Sequence, residues 1–172
     1  MDNSINPIDK LKIIVKIREW LKDNNVKNYK INDTGSLDVY ENVNLIRQEL
    51  TELPIKFGKI EGNFLCCDNN LTSLNGAPEY VSGIFSCARN QITSLAGCPK
   101  EIRGDFICCV NKLSSLADAP ISVGGDFNCS NNEINDISNI PTKHIGENFY
   151  GYCNNLSDIS VLDNIVKGKI YK

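Results

Sequence analysis

Residues 64–71 read Phe-Leu-Cys-Cys-Asp-Asn-Asn-Leu, residues 85–92 read Phe-Ser-Cys-Ala-Arg-Asn-Gln-Ile, and residues 106–113 read Phe-Ile-Cys-Cys-Val-Asn-Lys-Leu. The three octets stand 21 residues apart, and two more follow, at Phe127 and, after 22 residues, at Phe149. Two residues after each Phe comes a small residue: Cys66, Cys87, Cys108, Cys129, then Gly151. Five after it comes Asn69, Asn90, Asn111, Asn132 or Asn154. Seven and ten after it come Leu or Ile, from Leu71 and Leu74 to Leu156 and Ile159. A chain that returns to the same side chains at this interval builds one small unit and stacks it, so a solenoid is predicted.

Counting back from Phe64 extends the array. Val43, Leu45, Leu50 and Leu53 fall on the apolar positions, and Gln48 takes the place of the Asn. Six units are therefore expected over residues 43–159, starting at Val43, Phe64, Phe85, Phe106, Phe127 and Phe149. Pro78, Pro99, Pro120 and Pro141 recur in phase and forbid a continuous helix in the connection. Val81, Ile102, Val123 and Ile145 restart the apolar register four residues before the next Phe. Gly83, Gly104 and Gly125 stand two residues before the next Phe; in the last unit Gly146 is displaced and Glu147 takes that position, as the extra residue requires.

Residues 1–42 read as an N-terminal cap. Asn6 can cap a helix and Pro7 suits its first turn. Ile8, Leu11, Ile14, Ile17 and Leu21 recur at helical spacing, widened by Ile13, Val15 and Trp20, so one broad buried face is expected. The alternative, an amphipathic helix for a partner, would leave the first unit uncovered. Alternation around Asp33-Thr34-Gly35 then predicts a hairpin. Residues 160–172 read as a C-terminal cap, a short helix starting near Ser160 and ending at Gly168.

The pattern Phe-x-Cys-x-x-Asn-x-Leu resembles the leucine-rich repeat, with Phe and Cys in two of its leucine positions. The resemblance implies an α/β solenoid rich in strand: short parallel strands on a concave face, irregular convex loops and capped ends, wound right-handed. It also implies that each Asn turns inward, which has a physical reason, because a buried bend needs partners for its backbone groups. A narrower likeness rests on Ile17-Arg18-Glu19-Trp20-Leu21-Lys22, Tyr29-Lys30-Ile31-Asn32-Asp33, Leu37-Asp38-Val39 and Leu53-Pro54-Ile55-Lys56-Phe57-Gly58. These segments, in this order before the repeats, are similar to small bacteriophage-encoded leucine-rich repeat proteins, which implies a phage source and the host cytoplasm as the place of action.

Eight cysteines raise the questions of disulfides and metal. Cys66, Cys87, Cys108 and Cys129 occupy one repeated position, and a straight row of parallel side chains neither encloses zinc nor suits a disulfide. Free thiols serving as small apolar fillers in a reducing cytoplasm are expected, with Cys67 and Cys109 facing the other way and Cys98 and Cys153 standing alone. The net charge of −3 and the mixed scatter of charges point away from nucleic acid. No apolar run could span a bilayer, no secretory leader is evident, and no membrane partner is expected. No cofactor motif appears, and no metal or cofactor is expected.

With the core positions assigned, the remaining strand positions form the concave surface. The candidate partner-binding residues there are Leu65, Ile84, Arg89, Asp105, Ile107, Val110, Asp126, Tyr150 and Tyr152. Apolar groups where solvent would select polar ones, with Tyr and Arg as anchors, are the mark of a protein interface. Asp105 and Asp126 could pair as carboxylates on adjacent strands, even as a weak cation site, but an open surface without a cleft makes a poor acid–base site, and chance repetition is the better explanation of the pair. His144, the single histidine, is read as a solvent-facing residue of the connection, so no catalytic residue is expected and the chain reads as no enzyme. The expected function is non-catalytic binding of a protein, monomeric or weakly oligomeric. The phage resemblance implies a host protein, or the complex of another infecting element, as the partner to be inhibited. The alternative is a self-associating structural or virion accessory protein.

Overall fold

The computed structural model describes residues 6–172. Helix α1, Pro7–Asp23, starts where its sequence says it should: the Ile8 and Asp9 N–H groups donate to Asn6 Oδ1, at 2.8 and 3.3 Å. A hairpin follows, β1 (Tyr29–Ile31) antiparallel to β2 (Leu37–Val39). Each coil then places a strand at its repeat Phe or equivalent. These are β3 (Val43–Asn44), β5 (Phe64–Leu65), β7 (Phe85–Ser86), β9 (Phe106–Ile107), β11 (Phe127–Asn128) and β13 (Phe149–Tyr150). They pair in parallel and in the predicted register, Val43 with Phe64 and so on to Phe149. The chain is a solenoid of stacked parallel strands, of the leucine-rich-repeat kind.

A second sheet, parallel from β2 onward, runs alongside, where the sequence showed only a restart of apolar residues. It comprises β1 and β2, then β4 (Phe57–Ile60), β6 (Tyr80–Val81), β8 (Glu101–Ile102), β10 (Ser122–Val123) and β12 (His144–Ile145). Each of the last four strands buries one β-branched residue, Val81, Ile102, Val123 or Ile145, against the core. We call this the aliphatic sheet and the first the phenylalanine sheet; each has seven strands. The turn between them must be tight. A side chain at Gly104 would meet the Gly83 carbonyl at 2.8 Å, so the column of Gly83 and Gly104 lets successive coils approach at their corner.

The expected C-terminal cap helix is a short 3₁₀ segment, η1 (Ser160–Asn164). Beyond it the period resumes rather than ending. β14 (Ile170–Tyr171) pairs with β13, Ile170 opposite Phe149, and Val166 bridges to Ile145. Ile170 stands 21 residues after Phe149, so a further coil begins where a separate cap was expected.

The core is a set of columns. Phe64, Phe85, Phe106, Phe127 and Phe149 are each fully buried, with consecutive ring centroids 4.9 to 5.9 Å apart. Phe57 and then Trp20 of α1 continue the column, at 4.9 and 5.3 Å, so the helix caps the aromatic stack directly. Beside it run the thiols of Cys66, Cys87, Cys108 and Cys129, all buried and unbridged. Burial pushes these thiols up, Cys129 to about 12, so they are neutral fillers. The asparagine column lies at the bend. Asn90 Nδ2 donates to the carbonyls of Cys66, Cys87 and Ala88 at 3.0 to 3.2 Å, while its Oδ1 accepts the Leu71 N–H at 2.9 Å. Asn69, Asn111, Asn132 and Asn154 repeat this, each amide stitching its own coil to the one before. No helix among the described residues is long and apolar enough to cross a membrane.

The cap helix departs from expectation. Only Ile17, Trp20 and Leu21 are buried, with Ile13 and Ile14 partly so. Ile8, Leu11 and Val15 are 68%, 62% and 47% exposed. They recur at i, i+3 and i+7, a stripe on the side of the helix opposite the buried one. One face of α1 caps the solenoid and the other meets solvent.

Candidate protein-binding face

In the strands of the phenylalanine sheet, Phe and Cys point inward and the residues between them point out. One outward row is in hydrogen-bonded register: Asn44, Leu65, Ser86, Ile107, Asn128, Tyr150, Tyr171. Its large residues alternate with small ones, so Leu65, Ile107 and Tyr150 stand as half-buried ridges with Ser86 and Asn128 between them. The next outward row holds Cys67, Ala88, Cys109, Ser130 and Tyr152. Ala88 and Ser130 are buried to 7% and 6% exposure despite facing outward.

The face ends in an aromatic cluster. Tyr150 and Tyr171 stack at 5.0 Å with ring planes 7° apart, and Tyr152 lies 6.4 and 6.0 Å from them. Partial desolvation, then the Asp126 carboxylate and the Tyr171 hydroxyl, raise the Tyr150 hydroxyl above its ordinary value. Tyr150 and Tyr152 were among the expected site residues; Tyr171 was not. Its signal is in the sequence, because it stands 21 residues after Tyr150, but it lies beyond the six units that end at Ile159.

Four residues after each Phe the backbone turns left-handed, at Asp68, Arg89, Val110, Asn131 and Cys153, with φ between 53° and 57°. The corner holds these side chains outward at the border of the face. Val110 is 38% exposed and Arg89 is exposed. Arg47 and Arg89 each approach Asp68 to 3.9 Å, a loose and solvated arrangement that contributes little to stability.

Asp105 and Asp126 recur for a structural reason rather than by chance. Asp105 Oδ1 accepts the Asp126 N–H at 2.9 Å, and Asp126 Oδ1 accepts the Asn148 N–H at 2.8 Å. Asn42, Asn63 and Asn148 do the same for Asn63, Ile84 and Lys169 in the coils after them. The residue before each repeat Phe thus forms a second ladder of side-chain oxygens on backbone N–H groups. Ile84 interrupts it, for it has no side-chain oxygen to offer, and among the described residues no hydrogen bond reaches the Asp105 N–H. His144 is likewise not in a loop. It lies in β12, paired with Ser122 on the aliphatic sheet, and is half-buried.

The class this architecture defines is the leucine-rich-repeat-like solenoid. No family model, curated protein or solved structure matches the chain.

Proposed function

We propose that this protein is a non-catalytic recognition module that binds another protein through the outward face of the phenylalanine sheet. The observation that carries this is the pairing of exposure with local cost. Val110 is a β-branched residue in a left-handed corner, and Ile84 breaks a ladder that its neighbours keep. A sequence that violates its own repeat to hold aliphatic groups outward is one in which those groups serve something besides folding. Leu65, Ile107 and the three tyrosines extend the same face into an apolar and aromatic surface bordered by Arg89, Asp105 and Asp126. Central aromatic and aliphatic anchors with a polar rim are how protein interfaces concentrate their affinity.

The resemblance to phage-encoded repeat proteins names the kind of partner: a host protein, or the complex of another infecting element, that the solenoid would inhibit in the host cytoplasm. Wild-type protein and an Ile107→Asp/Tyr150→Asp variant would be used in parallel to capture partners from host lysate, and binding re-measured with the purified partner. Loss of binding by the double variant with an unchanged melt is expected. Retained affinity would remove the face from the proposal.

A second reading, a self-associating structural component, is favoured by one feature only, the exposed stripe Ile8, Leu11 and Val15. Arg18 and Lys22 continue that stripe at the same spacing, so two copies packed along it in parallel would oppose like charges. A monomeric mass in sedimentation, unaltered by Leu11→Ser, would dismiss this reading.

A further inference from the structure

Between α1 and the first coils lies a cleft of about 400 Å³ whose composition differs from that of the outward face. Its apolar wall is Ile13 from the helix, over a floor of Ile17 and of Ile55 from the segment before β4, which are 1% and 7% exposed, and the hairpin turn at Thr34 and Gly35 closes one side. The charged groups at its edge are Lys16 and Lys56; among the described residues no Asp or Glu lines it. Neither ammonium pairs with a carboxylate among the described residues, in contrast with Lys10, which meets Asp33 at 3.3 Å, and Lys12, which meets Asp9 at 3.4 Å. An aliphatic hollow of ligand size with two unneutralised cations and no anion is complementary to a molecule with an apolar tail and a negative head.

We propose that this cleft is a binding site for a single-chain anionic amphiphile of the fatty-acid type. Its tail lies along Ile13, Ile17 and Ile55, and its carboxylate pairs with Lys16 and Lys56. Isoleucine walls favour a flexible aliphatic chain over a flat ring, because no aromatic lines the cleft to stack on. The lining comes from the helix, the hairpin and the first coil, so an occupant ties the cap to the solenoid. Binding to the folded state alone then raises thermal stability.

The test is a titration of the full chain with sodium decanoate below its micelle concentration, read by amide chemical shifts and by thermal melting. A saturable single site is expected, with shifts centred on Ile13, Ile17, Gly35 and Ile55 and a rise in the melting midpoint. Decyltrimethylammonium, with the same tail and the opposite charge, should bind at least about tenfold more weakly. The variant Lys16→Glu/Lys56→Glu changes two exposed side chains, so its unliganded melt should match the parent while its decanoate affinity falls at least about tenfold. Four results would each overturn the site: a titration that does not saturate, equal binding of the two head groups, unchanged affinity in the double variant, or shifts centred on Ile8, Leu11 and Val15.

Discussion

Val110 sits at φ 57° with a side chain that branches at Cβ, in a conformation that asparagine and glycine adopt far more readily. The corner is imposed by the repeat, since Asp68, Arg89, Asn131 and Cys153 share it. Val110→Asn should therefore raise stability by about 0.5–1 kcal/mol, measured by urea denaturation, because the fold is kept and strain is released. A loss of stability would show that Val110 packs better than its 38% exposure suggests. The inward asparagines behave oppositely. Asn111→Ala leaves the Ile92 N–H without a partner and removes one of the two amide donors from each of the Cys87 and Cys108 carbonyls, and should destabilise by about 1–3 kcal/mol. The buried thiols add a pH dependence. Their folded pKa values lie above the ordinary 9.0, so the thiol form is favoured in the folded state and this contribution is complete below pH 9.0. It is lost as pH rises toward about 12, where Cys98 and Cys129 titrate in the folded protein. Alkaline unfolding in that window is expected by circular dichroism, and Cys129→Ala should shift it upward. The inward asparagines were legible because one residue type recurs at one spacing. The left-handed corner was not, because Asp, Arg, Val, Asn and Cys share no chemistry that spacing could reveal.

Helix α1 shows what periodicity cannot settle at the level of an element. Its apolar residues cover most of the helical circumference, so spacing predicts a broad buried face without saying which side the solenoid takes. The structure takes the side of Ile17, Trp20 and Leu21, because the ring of Trp20 ends the phenylalanine column at Phe57. Trp20→Ala should destabilise by about 3–5 kcal/mol, as expected for a large cavity in a core. Leu11→Ser, on the outward stripe, should change stability by less than about 0.5 kcal/mol in the same thermal melts. Equal effects would mean that the helix is capped by its other side. The strands of the aliphatic sheet escaped the sequence for a different reason. Four of them are two residues long and bury a single side chain, which is too little alternation to read as a strand. The seventh coil was hidden because Ile170 replaces Phe, although its spacing from Phe149 is the repeat's own.

Across the whole molecule, each coil rests on its neighbours, so a defect in one inter-coil ladder reports on what that coil is kept for. The ladder before the phenylalanines runs through Asn42 and Asn63, fails at Ile84, and resumes at Asp105, Asp126 and Asn148. Ile84→Asn should restore it, its side-chain oxygen accepting the Asp105 N–H, and the gain should be about 0.5–1.5 kcal/mol for one added hydrogen bond. Folding alone would thus favour Asn at this position, as at Asn63 one coil earlier. The isoleucine instead stands on the face that carries Leu65, Ile107 and Val110, where an aliphatic group can serve a partner. Stability and recognition should therefore move in opposite directions. Ile84→Asn and Val110→Asn, alone and combined, should melt higher than the parent and bind the captured partner more weakly, each by at least about threefold, on the scale of an interface residue of average weight. Higher melting with undiminished affinity would uncouple these residues from binding, and the recognition face would then have to be sought on the aliphatic sheet or along the stripe of α1.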